Sequence, residues 1–240
     1  MYRIFHVCFY SLLLILFLFL ISNTQTRGAI VGLALAFLSA LFLLLLKKEV
    51  NKYTKGASVC VILLFSLGVF WIFQNKEHQL VKSIPMLKKI SSISLSDLTT
   101  QTRLVTWQAS WKGFLEKPIL GWGVENFYRV FDKHFPTVIY NNDTAIVWFD
   151  RSHNLLIQYA VEGGIIGILL YLSVFVTLIY FLFRYVKEYY LGILFVGLIA
   201  AYIGQDLFVF DTINSYMPFY FLFAFTLFLV EENHKLPEFS

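Results

Sequence analysis

The sequence contains six long apolar runs, and their lengths constrain the fold more than any other feature. An α-helix of about 20 apolar residues crosses the hydrocarbon core of a bilayer. Hydrophobic residues make up 58% of the chain and charged residues only 14%. A soluble domain of 240 residues could not bury so much apolar surface. The sequence therefore predicts an all-α membrane protein with about six transmembrane helices, at residues 4–22, 28–46, 57–73, 155–183, 191–210 and 215–230.

The first run also has features of a signal peptide, because a basic residue precedes a long apolar stretch. No small-x-small cleavage site follows it in SNTQTRG, residues 22–28. We therefore expect this run to be retained as a helix.

Lysine and arginine in the short loops predict the orientation, since they concentrate on the cytoplasmic side. Loop 47–55 contains four lysines, and loop 184–190 contains Arg184 and Lys187. The opposite short loops contain only Arg27. This pattern predicts a multi-pass protein with both termini in the cytoplasm and a long extracytoplasmic loop between spans three and four. The predicted regions are three spans in 1–73, the loop in 74–154, three spans in 155–230 and a cytoplasmic tail in 231–240.

The long loop carries two segments with apolar residues at helical spacing. The first segment places Leu104, Trp107, Trp111 and Phe114 on one face, and the second places Val124, Phe127, Phe131 and Phe135 on one face. Two tryptophans on one face are typical of a helix that lies at a membrane surface. A small soluble cap that packs on itself is an equal alternative. We expect a tight turn at PILGWG between these two short amphipathic helices.

Several anion-binding groups fall on the predicted outer side, namely Arg27, Arg103, Arg151 and His153. Guanidinium groups suit phosphate because they stay charged and present a planar fork of donors. Asn154 is predicted to cap the fourth span, whose N-terminal amides then point towards any anion above it. Each group also has a structural alternative: an interfacial anchor or solvated charge for the arginines, and a cap or a lipid contact for the histidine.

Glu162 is predicted to lie within the fourth apolar run. A carboxylate inside a bilayer is costly, which favours a functional or cavity-facing role. The glycines beside it, Gly163, Gly164 and Gly167, would let another helix approach closely. Glu162 could therefore contact substrate or hold helices together, and Asp206 has the same two interpretations.

Other signals are weak or absent. The net charge of +4 is modest, and the two cysteines lie in apolar runs without disulfide or metal-binding spacing. We find no metal cluster, phosphate-binding loop or Ser-His-Asp order. We therefore expect no cofactor, no metal and no nucleic-acid partner.

Four landmarks occur in a recognisable order: TRGA before a span, R-x-x-x-W, PILGWGVENF and SHNLLIQYAVEGGIIG. Together they resemble the O-antigen ligase and O-antigen polymerase superfamily over residues 20–225. These are bacterial membrane glycosyltransferases that act on undecaprenyl-pyrophosphate-linked glycans. Family members usually have ten or more spans, so the resemblance implies that this chain corresponds to a C-terminal portion.

The resemblance implies that Arg27, Arg103 and His153 line the site where the lipid pyrophosphate and the acceptor meet. Arg151, Asn154 and Glu162 are then the candidates for substrate binding beside them. The implied enzyme is a metal-independent glycosyltransferase of the bacterial cytoplasmic (inner) membrane. Its partners would be the lipid bilayer, the lipid-linked glycan, and a glycan, lipid A-core or protein acceptor.

Physical chemistry is consistent with these roles, because cationic side chains can neutralise a departing pyrophosphate. His153 could act as general base, since the unperturbed pKa of histidine lies near neutrality. Two alternatives remain: a non-catalytic transporter or scaffold, and an inactive truncated copy of the enzyme. Transporters often show paired repeats with broken helices, and the sequence shows no such repeat.

Overall fold

The computed structural model describes residues 2–24, 26–94, 97–137 and 148–234. These residues form helices and loops without any strand. The helices are α1 (Tyr2–Thr24), α2 (Arg27–Leu46), α3 (Lys52–Gln74), α4 (Gln79–Ser83), α5 (Pro85–Ser91), α6 (Leu98–Glu116), α7 (Phe127–Lys133), α8 (Leu155–Tyr185), α9 (Tyr189–Asp206) and α10 (Ile213–His234). Part of the predicted tail is thus helical, and its residues 235–240 lie outside the described residues.

Six of these helices, α1, α2, α3, α8, α9 and α10, have the length and composition to cross a membrane. The predicted all-α, six-span fold is therefore confirmed. Most helix boundaries differ from the predicted ones by a few residues, as the start of α3 and the end of α9 illustrate. Helix α3 begins at Lys52, because the Asn51 side chain caps it by accepting a hydrogen bond from the Tyr53 amide at 2.8 Å. Helix α9 ends at Asp206, four residues before the end of its apolar run.

Helices α2 and α9 pack with their backbones unusually close, because glycines line the contact. A Cβ atom on Gly32 would lie 2.4 Å from the Ala201 carbonyl oxygen, and one on Gly28 would lie 2.9 Å from that of Gln205. Gly28 and Gly32 are four residues apart, which is the small-residue spacing that favours close helix packing in membranes. This contact holds the first turn of α2, with Arg27, against the last turn of α9.

The described residues between 74 and 154 cover one end of the helix bundle, which we call the loop end. Here the two predicted amphipathic segments pack differently. In α7 the side chains of Phe127 and Phe131 are fully buried in a core that includes Val161 of α8. In α6 the small side chains such as Ser110 face the protein, whereas Trp111 is 60% exposed. Thus α7 packs on protein, and α6 directs a bulky apolar face outwards.

Helix α8 is broken at Gly164, which has φ 62° and ψ −157°. The turn from Pro118 to Gly123 docks into the break through its backbone. The amides of Trp122 and Gly123 donate to the carbonyls of Val161 and Glu162, at 2.8 and 2.9 Å. The Ile165 amide donates to the Pro118 carbonyl, at 2.8 Å.

The break changes the interpretation of Glu162. The piece from Ile165 to Tyr185 alone has about the 20 residues that a span needs, so Glu162 belongs to the shorter piece at the loop end. The neighbouring glycines also act differently from the prediction. A Cβ atom on Gly164 would lie 2.3 Å from the Ile119 carbonyl oxygen, so the element that approaches closely there is a turn and not another helix.

Candidate functional site

Arg27 lies at the loop end, at the first position of α2, and is held by α6. Its Nη1 lies 2.7 Å from Oδ2 of Asp97, in an ion pair whose side chains are 13% and 25% exposed. Hydroxyls of Ser92, Thr99 and Thr100 accept further hydrogen bonds from the same guanidinium at 3.3 to 3.4 Å. Asp97 also caps α6, and its pKa is held well below the usual range, mainly by the hydrogen bond from Arg27. Asp97 therefore fixes Arg27 and neutralises much of its charge.

Arg103 lies on α6 and lines the same cavity of about 120 Å³ as Arg27. Trp107 and Phe208 form part of its apolar wall. Among the described residues, Arg103 has no ion pair and no hydrogen-bond partner for its side chain. Burial lowers the pKa of its guanidinium, and the positive charge of Arg27 lowers it further, while Asp97 opposes this. Arg103 is thus a half-buried cation beside another cation, an arrangement that a bound anion would stabilise.

His153 lies in the segment that leads into α8, with its backbone in the left-handed region at φ 53°. Its ring packs between those of Phe149 and Phe210, at centroid distances of 5.5 and 5.2 Å. Burial lowers the pKa of His153, and so does the charge of Arg103, while Asp150 raises it. Burial and the charge of Arg103 thus favour the neutral imidazole, the form that can accept a proton.

The same helix positions both Arg103 and the backbone beside His153. Trp107 lies one turn after Arg103, and its Nε1 donates a hydrogen bond to the Ser152 carbonyl at 2.9 Å. This contact ties the segment before α8 to α6. Three elements far apart in the sequence therefore bring Arg27, Arg103 and His153 together at the loop end; we call this site the cationic cleft.

Arg151 lies at the rim of the cationic cleft. Its Nη2 lies 3.0 and 3.1 Å from the two carboxylate oxygens of Glu125, whose side chain is 66% exposed. Its guanidinium carbon also lies 5.3 Å from the centre of the Phe210 ring. Phe210 thus contacts both Arg151 and His153, and no pattern in the sequence indicated this residue.

Asn154 and Glu162 have their side chains engaged within the fold. The Asn154 side chain caps α8, as predicted, by accepting a hydrogen bond from the Ile157 amide at 3.1 Å. Its Nδ2 donates to the Leu207 carbonyl, also at 3.1 Å. Glu162 is 7% exposed and accepts a hydrogen bond from Gln158 at 3.3 Å. Neither residue lines the cavity that Arg27 and Arg103 share.

Besides Phe210, the sequence analysis missed Asp97 in this site, although a signal for Asp97 exists. An aspartate directly before a helical pattern is a typical N-cap, and SDLTTQTR has this form. In the described residues, no group of three or more histidine, cysteine, aspartate or glutamate side chains could hold a metal ion.

Comparison with known families gives a match that covers the site. A family model described as O-antigen ligase matches residues 12–172. The matched range contains Arg27, Arg103 and His153, and it ends within α8. No curated protein matches the chain at a significant level.

Proposed function

Because the chain belongs to the O-antigen ligase family, we propose that it transfers a glycan from undecaprenyl pyrophosphate to an acceptor hydroxyl. The transfer would take place at the outer face of the bacterial cytoplasmic membrane, with the loop end outside and both termini in the cytoplasm. The acceptor would be a second glycan, lipid A-core or a protein, each of which supplies a hydroxyl that can attack. The observation that carries the proposal is the guanidinium of Arg103, which has no partner among the described residues and whose charge acts on both Arg27 and His153.

Arg103 would bind the pyrophosphate of the carrier. Two cations in one partly buried cavity repel each other, and a diphosphate offsets that repulsion. As the bond between the anomeric carbon and the pyrophosphate oxygen breaks, negative charge grows on the leaving group. A fixed guanidinium stabilises this growing charge without having to reorganise. Arg27 would contribute less, because Asp97 already neutralises much of its charge.

His153 would act on the acceptor. The acceptor oxygen attacks the anomeric carbon, and its proton passes to the neutral imidazole while undecaprenyl pyrophosphate departs. The lowered pKa of His153 keeps this base unprotonated at neutral pH. A single direct displacement of this kind inverts the anomeric centre.

The remaining candidates would have supporting roles. Arg151, at the rim and paired with an exposed glutamate, would meet the glycan as it enters. Asn154 would position His153 indirectly. Its side chain caps α8 directly after His153 and donates a hydrogen bond to the Leu207 carbonyl, which ties this segment to the end of α9. Glu162 would maintain the short piece of α8 against the turn from Pro118 to Gly123.

The test is complementation in a bacterial host that lacks its own ligase or polymerase. The parent protein, Arg103→Ala, Arg27→Ala and His153→Ala would be compared by following lipid-linked glycan and finished product on gels. We expect Arg103→Ala and His153→Ala to lose about 100- to 1,000-fold in product formation, with lipid-linked precursor accumulating. Arg27→Ala should lose less.

Arg129→Ala provides the matched control. Arg129 is an exposed arginine of α7, and the only hydrogen bond of its side chain in the described residues is to the Tyr128 hydroxyl. Its variant should make product at the parental level, with equal protein in the membrane by immunoblot. Full product from both Arg103→Ala and His153→Ala would refute the proposed site, and no product from the parent would refute the activity.

A further inference from the structure

A second cavity, of about 270 Å³, lies at the loop end between α8, α9 and α10. We call it the tyrosine cavity. Its polar lining consists of Tyr159, Tyr171, Tyr202, Tyr216, Tyr220 and Asp211. Most of these residues lie beyond the range that the family model matches.

Asp211 is held in a fixed orientation within this lining. The Tyr202 hydroxyl lies 2.9 and 2.8 Å from its two carboxylate oxygens, and the Ser215 hydroxyl donates to Oδ1 at 2.9 Å. A carboxylate offers about four lone-pair positions, so it can accept a further donor. Asp211 is 5% exposed, and it therefore presents a buried, oriented acceptor to whatever enters the cavity.

Flat aromatic faces form much of the remaining wall. Tyr159 stacks on Tyr171 with a centroid distance of 4.5 Å, and Tyr202 stacks on Phe219 at 4.6 Å. Aromatic walls with a few oriented polar groups are typical of small-ligand sites. A sugar ring matches this lining, because its C–H faces pack on aromatic rings and its hydroxyls donate to a carboxylate. A lipid chain would pack against the aromatic walls but could not donate a hydrogen bond to Asp211.

One loop separates the tyrosine cavity from the cationic cleft. Phe208 lines the cavity that holds Arg27 and Arg103, and the Phe210 ring lies 5.2 Å from that of His153. The next residue, Asp211, lines the tyrosine cavity. Within residues 207–212, Phe208 and Phe210 therefore lie at the cationic cleft, whereas Asp211 lies at the tyrosine cavity. A ligand in the tyrosine cavity would lie across this loop from the proposed base and from the proposed pyrophosphate site.

We propose that the tyrosine cavity binds a pyranose ring of the acceptor, with Asp211 accepting hydrogen bonds from its ring hydroxyls. The assignment to the acceptor, as distinct from sugar binding itself, rests on the proposed function. In a direct displacement the attacking hydroxyl and the leaving pyrophosphate occupy opposite sides of the anomeric carbon. One cavity contains the arginines and the other contains Asp211, and they lie on either side of one loop. This arrangement could hold the leaving group and the acceptor on opposite sides of the anomeric carbon.

The experiment measures sugar binding directly in the full chain, reconstituted in lipid nanodiscs free of sugar-headed detergent. Saturation-transfer NMR would be recorded with methyl glucoside, methyl galactoside and methyl N-acetylglucosaminide, and with geraniol as a lipid-chain probe. We expect at least one glycoside to bind. Asp211→Asn should weaken it roughly tenfold, since a hydrogen bond to a charged group is lost, and Tyr216→Ala should also weaken it.

Tyr180→Ala is the matched control, because Tyr180 is an exposed tyrosine of α8 that does not line the cavity. It should bind as the parent does, and thermal unfolding would confirm that each variant is folded. The inference is overturned if no glycoside binds, if Asp211→Asn and Tyr216→Ala bind as the parent does, or if only geraniol responds. Glycoside binding by a parent that makes no product in cells would refute the proposed function and leave the sugar site standing. Product formation by a parent that binds no glycoside would refute the sugar site and leave the proposed function standing.

Discussion

The cationic cleft and the break in α8 lie at the same end of the protein, but they are held in different ways. Side chains from three separate elements form the cleft, and there Arg103 has no partner among the described residues. Backbone groups form the break, and there the amides of Trp122, Gly123 and Ile165 each meet a carbonyl at 2.8 to 2.9 Å. A half-buried charge without a partner is stabilised when a counter-ion binds, whereas the backbone groups of the break already have their partners. The pairing in the break stabilises the fold, whereas the unpaired cation in the cleft is what the proposed anion site requires.

Substitutions in the two regions should therefore have separable effects. Removing an unpaired charge from the cleft should reduce activity with little loss of stability. Filling the space at the break should reduce stability before it affects chemistry. The predictions below test this separation in order of decreasing effect.

The largest effect is expected for Gly164→Ala. A methyl group there would lie 2.3 Å from the Ile119 carbonyl oxygen, and Gly164 has φ 62°, which alanine rarely adopts. Strain and overpacking together should lower the free energy of unfolding by about 2–4 kcal/mol. SDS-driven unfolding in mixed micelles would measure it.

The adjacent glycine supplies the control for this experiment. A Cβ atom on Gly163 would meet nothing within 4 Å, and its backbone is helical. Gly163→Ala should therefore change stability by less than about 1 kcal/mol. Equal destabilisation by both variants would show that the turn does not dock at Gly164 as described.

A smaller effect is expected for Asp97→Asn, which keeps an oxygen for capping α6 but removes the charge that pairs with Arg27. The folded protein lowers the pKa of Asp97, so its contribution to stability is present above the unfolded pKa of about 4 and is lost as pH falls further. At pH 7 we expect the variant to be less stable by about 1–2 kcal/mol.

The same unfolding measurement, repeated at successively lower pH, tests the sign of this linkage. The difference between the parent and Asp97→Asn should shrink below about pH 4. Glu77→Gln is a suitable control, because Glu77 pairs with Lys82 at an exposed position and should contribute little. A difference that stays constant down to low pH would mean that the charge of Asp97 does not act through the Arg27 pair.

The two regions also differ in how far the sequence could predict them. The chemistry of Arg27, Arg103 and His153 is visible in the residue types, and long apolar runs identify the spans. The convergence of the three groups depends on the Trp107–Ser152 hydrogen bond and on the close contact between α2 and α9. The spacing of Gly28 and Gly32 favours close packing of α2 but does not identify its partner helix. Hydropathy and spacing contain no information about the Trp107–Ser152 hydrogen bond.

The break in α8 was harder to predict than the cleft. Gly163 and Gly164 interrupt no apolar pattern, and a continuous helix through them is the simplest interpretation of the sequence. The docking partner is a backbone turn about 40 residues earlier in the chain, and backbone hydrogen bonds between distant segments leave little mark on side-chain patterns. PILGWG was correctly predicted as a turn, but its contact with α8 came only from the structure.

The smallest predicted effect concerns the electrostatic link within the cleft. Arg103 lowers the pKa of His153, so removing its charge makes protonation of the imidazole easier. Arg103→Gln should therefore raise the pKa of His153. Titration of ¹³C-labelled histidine by NMR, with the His153 resonance assigned from its absence in His153→Asn, would measure it. Arg129→Gln removes the same charge from an exposed site and should leave that pKa unchanged. If Arg103→Gln also leaves it unchanged, the two groups are not coupled, and the cleft has no electrostatic link between the proposed base and the proposed anion site.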